Sequence, residues 1–174
     1  MNYFVIADPD KCIGCRTCTV ACVVAHSEEN IFYQNPEDIN FNPKLEVIKT
    51  NKVSAPIQCR HCEDAPCLNV CPNNAISKLN NVIKIEEEKC VGCKTCMLAC
   101  PIGAIDFAVI DSFNKDKLYC VEKMVANKCD LCISSPDGPA CQRVCPTQAF
   151  KIVENLEENI KNKRKASITN LSNL

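Results

Sequence analysis

Short apolar runs recur along the chain, and two of them are followed by a few polar residues and a cysteine-rich loop. Residues 3–7 (YFVIA) come before KCIGCRTC, and residues 82–85 (VIKI) come before KCVGCKTC. Their length and their content of β-branched and aromatic residues predict β-strands. Residues 45–48 (LEVI) predict a further strand by the same pattern. The chain therefore repeats an element made of a strand and a cysteine loop.

The cysteines themselves form four groups of four, which leave only Cys120 outside. The third group reads CVGCKTCMLACP and matches the bacterial iron–sulfur pattern C-x2-C-x2-C-x3-C-P. A cubane cluster needs four thiolates, so four groups predict four 4Fe–4S clusters. The groups are Cys12, Cys15, Cys18 and Cys22; Cys59, Cys62, Cys67 and Cys71; Cys90, Cys93, Cys96 and Cys100; and Cys129, Cys132, Cys141 and Cys145.

Three of the groups end in a Cys-Pro pair and are followed by a second repeated element. A proline just past the last cysteine stops a short helix, because its ring cannot continue the helix. An alanine and a large apolar residue then predict the start of the next strand. These pairs are Ala75-Ile76, Ala104-Ile105 and Ala149-Phe150.

The second and third groups are separated only by a segment that predicts a β-hairpin between Ile76 and Ile85. Asn80 and Asn81 are placed at its turn, since asparagine tolerates a positive φ. The first and fourth groups can pair only if the chain ends meet around that inner unit. We therefore predict an α+β fold of two nested bacterial-ferredoxin-like (βαβ-βαβ) units, with small hairpins and short helices around the clusters. Its parts are an outer unit (1–54 with 111–153), an inner unit (55–110) and a C-terminal helical tail (154–174).

The fourth cysteine of each group is predicted to ligate the other cluster of its pair, as in two-cluster ferredoxins. Local sets of four cysteines are the alternative, which the short helices make geometrically harder. The predicted sets are Cys12, Cys15, Cys18 and Cys145 (cluster 1); Cys129, Cys132, Cys141 and Cys22 (cluster 2); Cys59, Cys62, Cys67 and Cys100 (cluster 3); and Cys90, Cys93, Cys96 and Cys71 (cluster 4).

Composition changes this picture in few ways. The chain has 174 residues, 17 cysteines, no tryptophan and 5% aromatic residues, so a conventional core is thin and the apoprotein is expected to be largely disordered. An odd cysteine count and the absence of a signal-peptide pattern weigh against a disulfide scaffold, and the spacing weighs against zinc.

A net charge of −1 gives no basic field for nucleic acid. No apolar stretch approaches the ~20 residues that span a bilayer, so a cytoplasmic location without membrane contact is expected.

Several residues beside the cysteines have two interpretations. Cys120 is interpreted as structural or incidental, and His61 as a polar loop residue rather than a donor to a cluster. Neither His26 nor His61 is needed as a ligand. Cations in or beside the loops would raise cluster potentials, or would simply be solvated; they are Arg16, Arg60, Lys94 and Arg143. The basic run 161–165 is expected to be a helix end, with docking on a neighbouring subunit favoured over membrane contact.

The motifs resemble a known family along almost the whole chain, from Phe4 to about Arg164. The opening CIGC after FVIAD, the run SAPIQCRHCEDAPCLNVCPNNAI, and KCDLC with GPACQRVCPTQAF are similar to four-cluster iron–sulfur subunits associated with formate dehydrogenase. These belong to the formate hydrogenlyase and hydrogen-dependent carbon dioxide reductase group, within the dimethyl sulfoxide reductase iron–sulfur subunit superfamily. The resemblance implies that the outer cysteine groups pair with each other, and the inner groups likewise.

What the resemblance implies is a non-catalytic subunit that transfers electrons between a molybdenum- or tungsten-pterin formate dehydrogenase and a hydrogenase in a cytoplasmic complex. The implied partners are the formate dehydrogenase catalytic subunit and a hydrogenase subunit; a second similar subunit or self-association is left open. The chain shows no nucleophile–base arrangement and no glycine-rich phosphate loop, so no catalytic residue is predicted. A stand-alone polyferredoxin-type carrier and an iron–sulfur subunit of another molybdopterin oxidoreductase are the alternatives.

Overall fold

The fold is described by a computed structural model that covers residues 3–114, 119–154 and 160, with side chains for 3–110, 122–154 and 160. Of the predicted C-terminal helical tail (154–174), Glu154 belongs to the last strand and residue 160 is described, while the rest, including the basic run, lies outside the described residues, as does the side chain of Cys120. The strands are β1 (Tyr3–Ala7), β2 (Glu46–Lys49), β3 (Ser54–Ile57), β4 (Ile76–Leu79), β5 (Val82–Ile85), β6 (Asp106–Asn114), β7 (Tyr119–Asn127) and β8 (Phe150–Glu154). The helices are α1 (Thr17–His26), α2 (Pro66–Asn69), α3 (Thr95–Ala99) and α4 (Ala140–Arg143), with a 3-10 helix at Ile31–Tyr33.

The two ends of the described chain meet in one antiparallel sheet. Strand β1 pairs with β8, so that Tyr3 lies opposite Glu154 and Ala7 opposite Phe150. Helix α1 packs against α4 on the same part of the molecule. The first and fourth cysteine groups are thereby brought together across almost the whole sequence.

The predicted hairpin between the second and third groups is confirmed. Strands β4 and β5 pair antiparallel, and Asn80 and Asn81 have φ angles of 49° and 66° at the turn. Helix α2 packs against α3. The second and third cysteine groups therefore lie side by side in the middle of the chain.

Two small hydrophobic cores lie on either side of this hairpin. Val82 packs in one core with Val5, Leu131 and Phe150, while the next residue, Ile83, packs in the other core with Ile76, Ile105 and Val125. Successive side chains of a strand point to opposite faces, so β5 contributes to both cores.

Two further hairpins lie over the first and third cysteine loops, and only part of one was predicted. The strand predicted at 45–48 is confirmed as β2 and pairs with β3 beside the first loop, while β6 and β7 form a long hairpin on the third loop. The β6–β7 hairpin crosses the predicted division between 110 and 111. Val125 and Ala126 of β7 pack in the core that contains Ile105.

The helices that precede a Cys-Pro pair are shorter than the one that does not. Helices α2, α3 and α4 end just before Pro72, Pro101 and Pro146. No proline follows Cys22, and α1 continues one more turn to His26 before the backbone becomes extended at Ser27, with φ −86° and ψ 135°.

Candidate iron–sulfur centre

The first and third cysteine loops share one backbone conformation. Gly14 and Gly92 both have φ near 67°, and Arg16 and Lys94, each directly before a helix, have φ of 61° and 64°. Left-handed residues at alternate positions are typical of concave backbone arrangements. Such concave arrangements bind anions and recur at iron–sulfur sites.

One cavity is lined by the first three cysteines of group one and by the last cysteine of group four. Its thiols are those of Cys12, Cys15, Cys18 and Cys145. Val47 and Pro56 of the β2–β3 hairpin close one side, and Phe150 of β8 closes another. Four thiols from two distant stretches thus surround a single space.

A second cavity repeats this arrangement in the middle of the chain. It is lined by the thiols of Cys71, Cys90, Cys93 and Cys96. Ile76 and Ile85 of the β4–β5 hairpin and Phe107 of β6 complete its wall.

Electrostatics show which of the remaining cysteines lie close together. Burial raises the pKa of Cys67 to about 11, with the neighbouring Cys59 and Cys100 thiolates adding to the rise. Burial also raises the pKa of Cys141 to about 12, and the Cys22 thiolate is the next cause. Cys100 therefore lies near the second group, and Cys22 lies near the fourth.

Backbone amides donate to the last sulfur of every group. The N–H groups of Ala75, Ala104 and Ala149 lie 3.3, 3.5 and 3.3 Å from the sulfurs of Cys71, Cys100 and Cys145. This explains the repeated Pro-x-x-Ala element, because the chain turns after the proline and returns its fourth amide to the cysteine.

The first group lacks that proline, and its amide comes from elsewhere. The N–H of Lys44, two residues before β2, donates to Cys22 Sγ at 3.3 Å. The segment between α1 and β2 thus supplies the sulfur contact that the residues directly after Cys22 do not provide.

The grouped cysteines differ in their exposure to solvent. Cys15 and Cys93 are exposed, whereas Cys59, Cys132 and Cys141 are buried. The hydroxyl and amide of Thr17 lower the pKa of Cys15, and Thr95 does the same for Cys93. The two exposed thiols are equivalent positions of the repeated loop, at the two cavities.

Unpartnered buried polar atoms test whether anionic clusters fit this site. Arg60 Nη1 and His61 Nε2 are buried and lack a hydrogen-bond partner among the described residues. Both belong to the loop between Cys59 and Cys62; burial lowers the pKa of Arg60, and the Cys59 and Cys62 thiolates oppose that effect. Because His61 Nδ1 accepts the N–H of Ile83 at 2.9 Å, its neutral ring carries the proton on Nε2. Two donors without acceptors beside cysteine sulfur suit the sulfur of a bound cluster.

His61 is not an ordinary polar loop residue, and this interpretation is corrected by its burial. Its side chain is fully buried, and burial together with the Lys128 ammonium lowers its pKa to about 3. Lys128 was not singled out from the sequence, although it is only 3% exposed. Its position directly before Cys129 was the one available signal.

His26 and Asp130 form a second polar contact that the sequence did not indicate. His26 Nε2 lies 2.8 Å from Asp130 Oδ1, and its Nδ1 lies 2.7 Å from the carbonyl oxygen of Cys22. Burial alone would lower the pKa of His26, but these contacts raise it to about 10. His26, Asp130 and Cys132 could together approach a metal ion. Both ring nitrogens already have partners, so we assign an ion pair that ties α1 to the fourth cysteine loop.

The cations proposed from the sequence have mostly ordinary surroundings. Arg16 is exposed, Lys94 is exposed and lies 5.9 Å from the ring centre of Phe107, and Arg143 pairs with Asp137 at 3.0 Å. Arg60 is the exception, since it is half-buried and lies over the ring of Phe4 at 5.3 Å.

Cavities lined by cysteines of two groups and amide contacts to sulfur define an iron–sulfur cluster protein, and comparison with known families agrees. A model described as "4Fe-4S dicluster domain" matches residues 50–155, and one described as "4Fe-4S binding domain" matches residues 9–24. The chain belongs to this 4Fe-4S dicluster family, which favours iron–sulfur clusters over the zinc alternative.

Its relatives are iron–sulfur electron-transport proteins of the formate hydrogenlyase type. The chain is 49% identical over 158 residues to Electron transport protein HydN of Escherichia coli (strain K12), covering 88% of this chain and 89% of that protein. It is 38% identical to Formate hydrogenlyase subunit 2 and 35% identical to Hydrogenase-4 component A of the same strain. Those matches cover 97% and 99% of this chain, and 90% and 94% of the relatives. The resemblance seen in the motifs is thereby confirmed. Within the described residues, no helix has the length and apolar character needed to cross a bilayer.

Proposed function

We propose that this chain is a non-catalytic subunit that relays electrons through four 4Fe–4S clusters between a formate dehydrogenase and a hydrogenase. One observation carries the proposal: two cavities are each walled by four cysteines from two separate groups, and each cavity includes one exposed cysteine, Cys15 or Cys93. A row of sites that is accessible at both ends and enclosed in the middle suits an electron path through the molecule.

We assign the ligands in swapped sets, because the neighbours of each fourth cysteine favour them over local sets. Cys145 lies with the first group and Cys71 with the third in the two cavities, and Cys100 and Cys22 lie beside the second and fourth groups. The division into an outer and an inner unit follows, with β1, β8, α1 and α4 in the outer unit.

The order of the sites along the path is inferred from the same neighbours. The outer unit holds the sites of the first and fourth groups, and the inner unit holds those of the second and third. Burial raises the pKa of Cys129, and the Cys59 thiolate is among the further causes, so those two groups adjoin where the units meet. Electrons would enter near Cys15 or Cys93 and leave at the other end.

In this relay the protein residues would hold and orient the clusters and tune their reduction potentials. When bound, the clusters supply one-electron chemistry over a wide range of potentials, set partly by hydrogen bonds to sulfur and by burial. The alanine amides and the Lys44 amide donate to the last sulfur of each group. Arg60 and His61 offer further donors in the buried middle of the molecule.

The partners are proposed from the relatives' names, which include a formate hydrogenlyase subunit and a hydrogenase component. We propose a cytoplasmic complex with a formate dehydrogenase catalytic subunit and a hydrogenase subunit. The name "electron transport protein" of another relative keeps a free multi-cluster carrier as the second candidate.

The test is anaerobic purification of the affinity-tagged chain from its native cell, followed by iron and sulfide analysis and native mass spectrometry. We expect about sixteen iron atoms per chain, in a complex that contains formate dehydrogenase or hydrogenase polypeptides. A chain with this iron content that is alone in the native spectrum would support the free carrier. Markedly less iron after reconstitution would overturn the four-cluster proposal itself.

A further inference from the structure

Lys128 places an ammonium group in the interior, at the point where the two units meet. The side chain is 3% exposed, and its Nζ donates to the carbonyl oxygens of Ile83 and Cys129, the latter at 2.8 Å. Ile83 belongs to the hairpin of the inner unit, and Cys129 opens the fourth cysteine group. Lys128 therefore bridges the two units by hydrogen bonds.

A buried cation is costly unless anionic groups compensate it. Among the described side chains, no carboxylate lies within ion-pair distance of Lys128 Nζ, and the nearby Asp130 is already paired with His26. The hydrogen bonds of Lys128 instead connect the two cysteine groups on either side of it. The carbonyl oxygen of Cys129 accepts one bond, and Ile83, which accepts the other, donates its N–H to His61 in the loop between Cys59 and Cys62.

The other charged and titratable groups described near Lys128 do not supply a negative charge that would compensate its ammonium. His61 is fully buried and uses its Nδ1 as an acceptor, so it is a neutral ring beside a cation. Lys78 donates to the carbonyl oxygen of Cys62, but it is partly exposed and adds further positive charge. Lys128 thus remains a buried cation between the loops of the second and fourth cysteine groups.

We infer that Lys128 is a positioning residue for electron transfer between the two units: its fixed positive charge raises the reduction potentials of the two sites that meet there, those of Cys59 and Cys129. The inference rests on the proposed four-cluster relay. The step moves one electron between the two sites, so that one is oxidised as the other is reduced, with no bond or proton transferred.

The direction of the effect follows from the charges. Reduction adds a negative charge to an already anionic site, and a nearby cation stabilises the reduced form. Solvent and salt screen exposed charges but act much less on buried ones. Lys128 should therefore act at any ionic strength, whereas a surface lysine at a similar position should not.

Lys78 supplies the matched control. Its Nζ also donates to two backbone carbonyl oxygens, those of Cys62 at 3.3 Å and Glu63 at 3.0 Å, beside the same cysteine loop. It differs from Lys128 mainly in being partly exposed.

The experiment compares the wild type with Lys128→Met, Lys128→Gln, Lys128→Arg and Lys78→Met in anaerobic redox titrations followed by electron paramagnetic resonance. Iron is counted first, so that loss of clusters is separated from a shift in potential. For Lys128→Met and Lys128→Gln we expect two of four couples to fall, each with at least a tenfold lower reduced-to-oxidised ratio at fixed potential. For a one-electron couple this corresponds to about 59 mV. Lys128→Arg should retain the wild-type values, and Lys78→Met should show a smaller shift that disappears at high salt.

Each result of this experiment either supports or contradicts the role inferred for Lys128. Full iron with unchanged potentials in Lys128→Met would overturn it, and so would an equal shift in Lys78→Met that persists in salt. If the two neutral variants bind too little iron but Lys128→Arg binds the full amount, the requirement for positive charge is supported. Failure of all three Lys128 variants would show a purely structural role and overturn the inference. Low iron in the wild type would instead contradict the proposed function.

Discussion

At the residue scale, the cysteine loops depend on glycines whose surroundings differ. Gly92 and Gly103 both have φ +67°, a conformation that costs an alanine about 1 kcal/mol. A Cβ at Gly92 would lie 2.7 Å from the carbonyl oxygen of Met124, whereas a Cβ at Gly103 would meet nothing within 4 Å. The β6–β7 hairpin therefore lies directly on the third cysteine loop. A residue with a side chain at position 92 would not fit against the Met124 carbonyl oxygen.

Gly92→Ala should destabilise the protein by roughly 1–3 kcal/mol more than Gly103→Ala, because the added methyl group must push β7 backbone away from the loop. Gly103→Ala should lose only about 1 kcal/mol, through its positive φ. Anaerobic guanidinium titrations followed by visible absorbance would compare the two variants. Equal midpoints for the two variants would mean that the hairpin does not rest on this loop.

Residues that tune the site were mostly invisible in the sequence. The cysteine spacing predicted which residues bind iron–sulfur clusters, but nothing in it could show that the amide of Lys44 reaches Cys22 or that Ile83 donates to His61. Both contacts join segments that are 22 residues apart along the chain. Such contacts depend on tertiary packing, which spacing alone does not encode.

At the element scale, the strands that repeat with the cysteine loops were predicted, but of the two covering hairpins only strand β2 was. The Asn80-Asn81 turn gave a local signal that the structure confirms. The β6–β7 hairpin has no such signal, and its strands carry charged residues among the apolar ones, as in Lys123 and Glu122. Lys123 Nζ donates to the carbonyl oxygens of Glu87 and Glu88, which ties this hairpin to the inner unit at a distance in sequence.

The two hydrophobic cores allow a test of the proposed division into units. Val5 is 1% exposed in one core, and Ile105 is 5% exposed in the other. Truncating either to alanine should cost about 2 kcal/mol or more, since each removes buried methyl groups and leaves a cavity. We expect Val5→Ala to loosen the first and fourth cysteine groups first, and Ile105→Ala to loosen the second and third.

The measurement is anaerobic treatment with a chelator and an alkylating reagent, with labelled peptides identified by mass spectrometry. Each variant should label the two groups of its own unit before the others, relative to the wild type. Labelling of all four groups at equal rates in both variants would show one cooperative unit instead of two.

At the scale of the whole molecule, little other than the cysteine sites can hold the elements together. The sheets in the described residues are all two-stranded, and a lone hairpin is marginally stable in water at best. The cores are small, the chain has no tryptophan, and half of the sixteen grouped thiols are buried. Ligation by residues from distant stretches would close long loops and add binding free energy to folding.

Removal of iron should therefore unfold most of the chain. We expect the far-ultraviolet circular dichroism of the chelated, reduced protein to lose most of its strand and helix signal, and anaerobic addition of iron and sulfide to restore it. Chelation without reductant serves as a control, because air-formed disulfides could hold the apoprotein together by another route. A native-like spectrum in the reduced apoprotein would mean that the two small cores suffice for folding, and that the clusters are bound by a scaffold that forms without them.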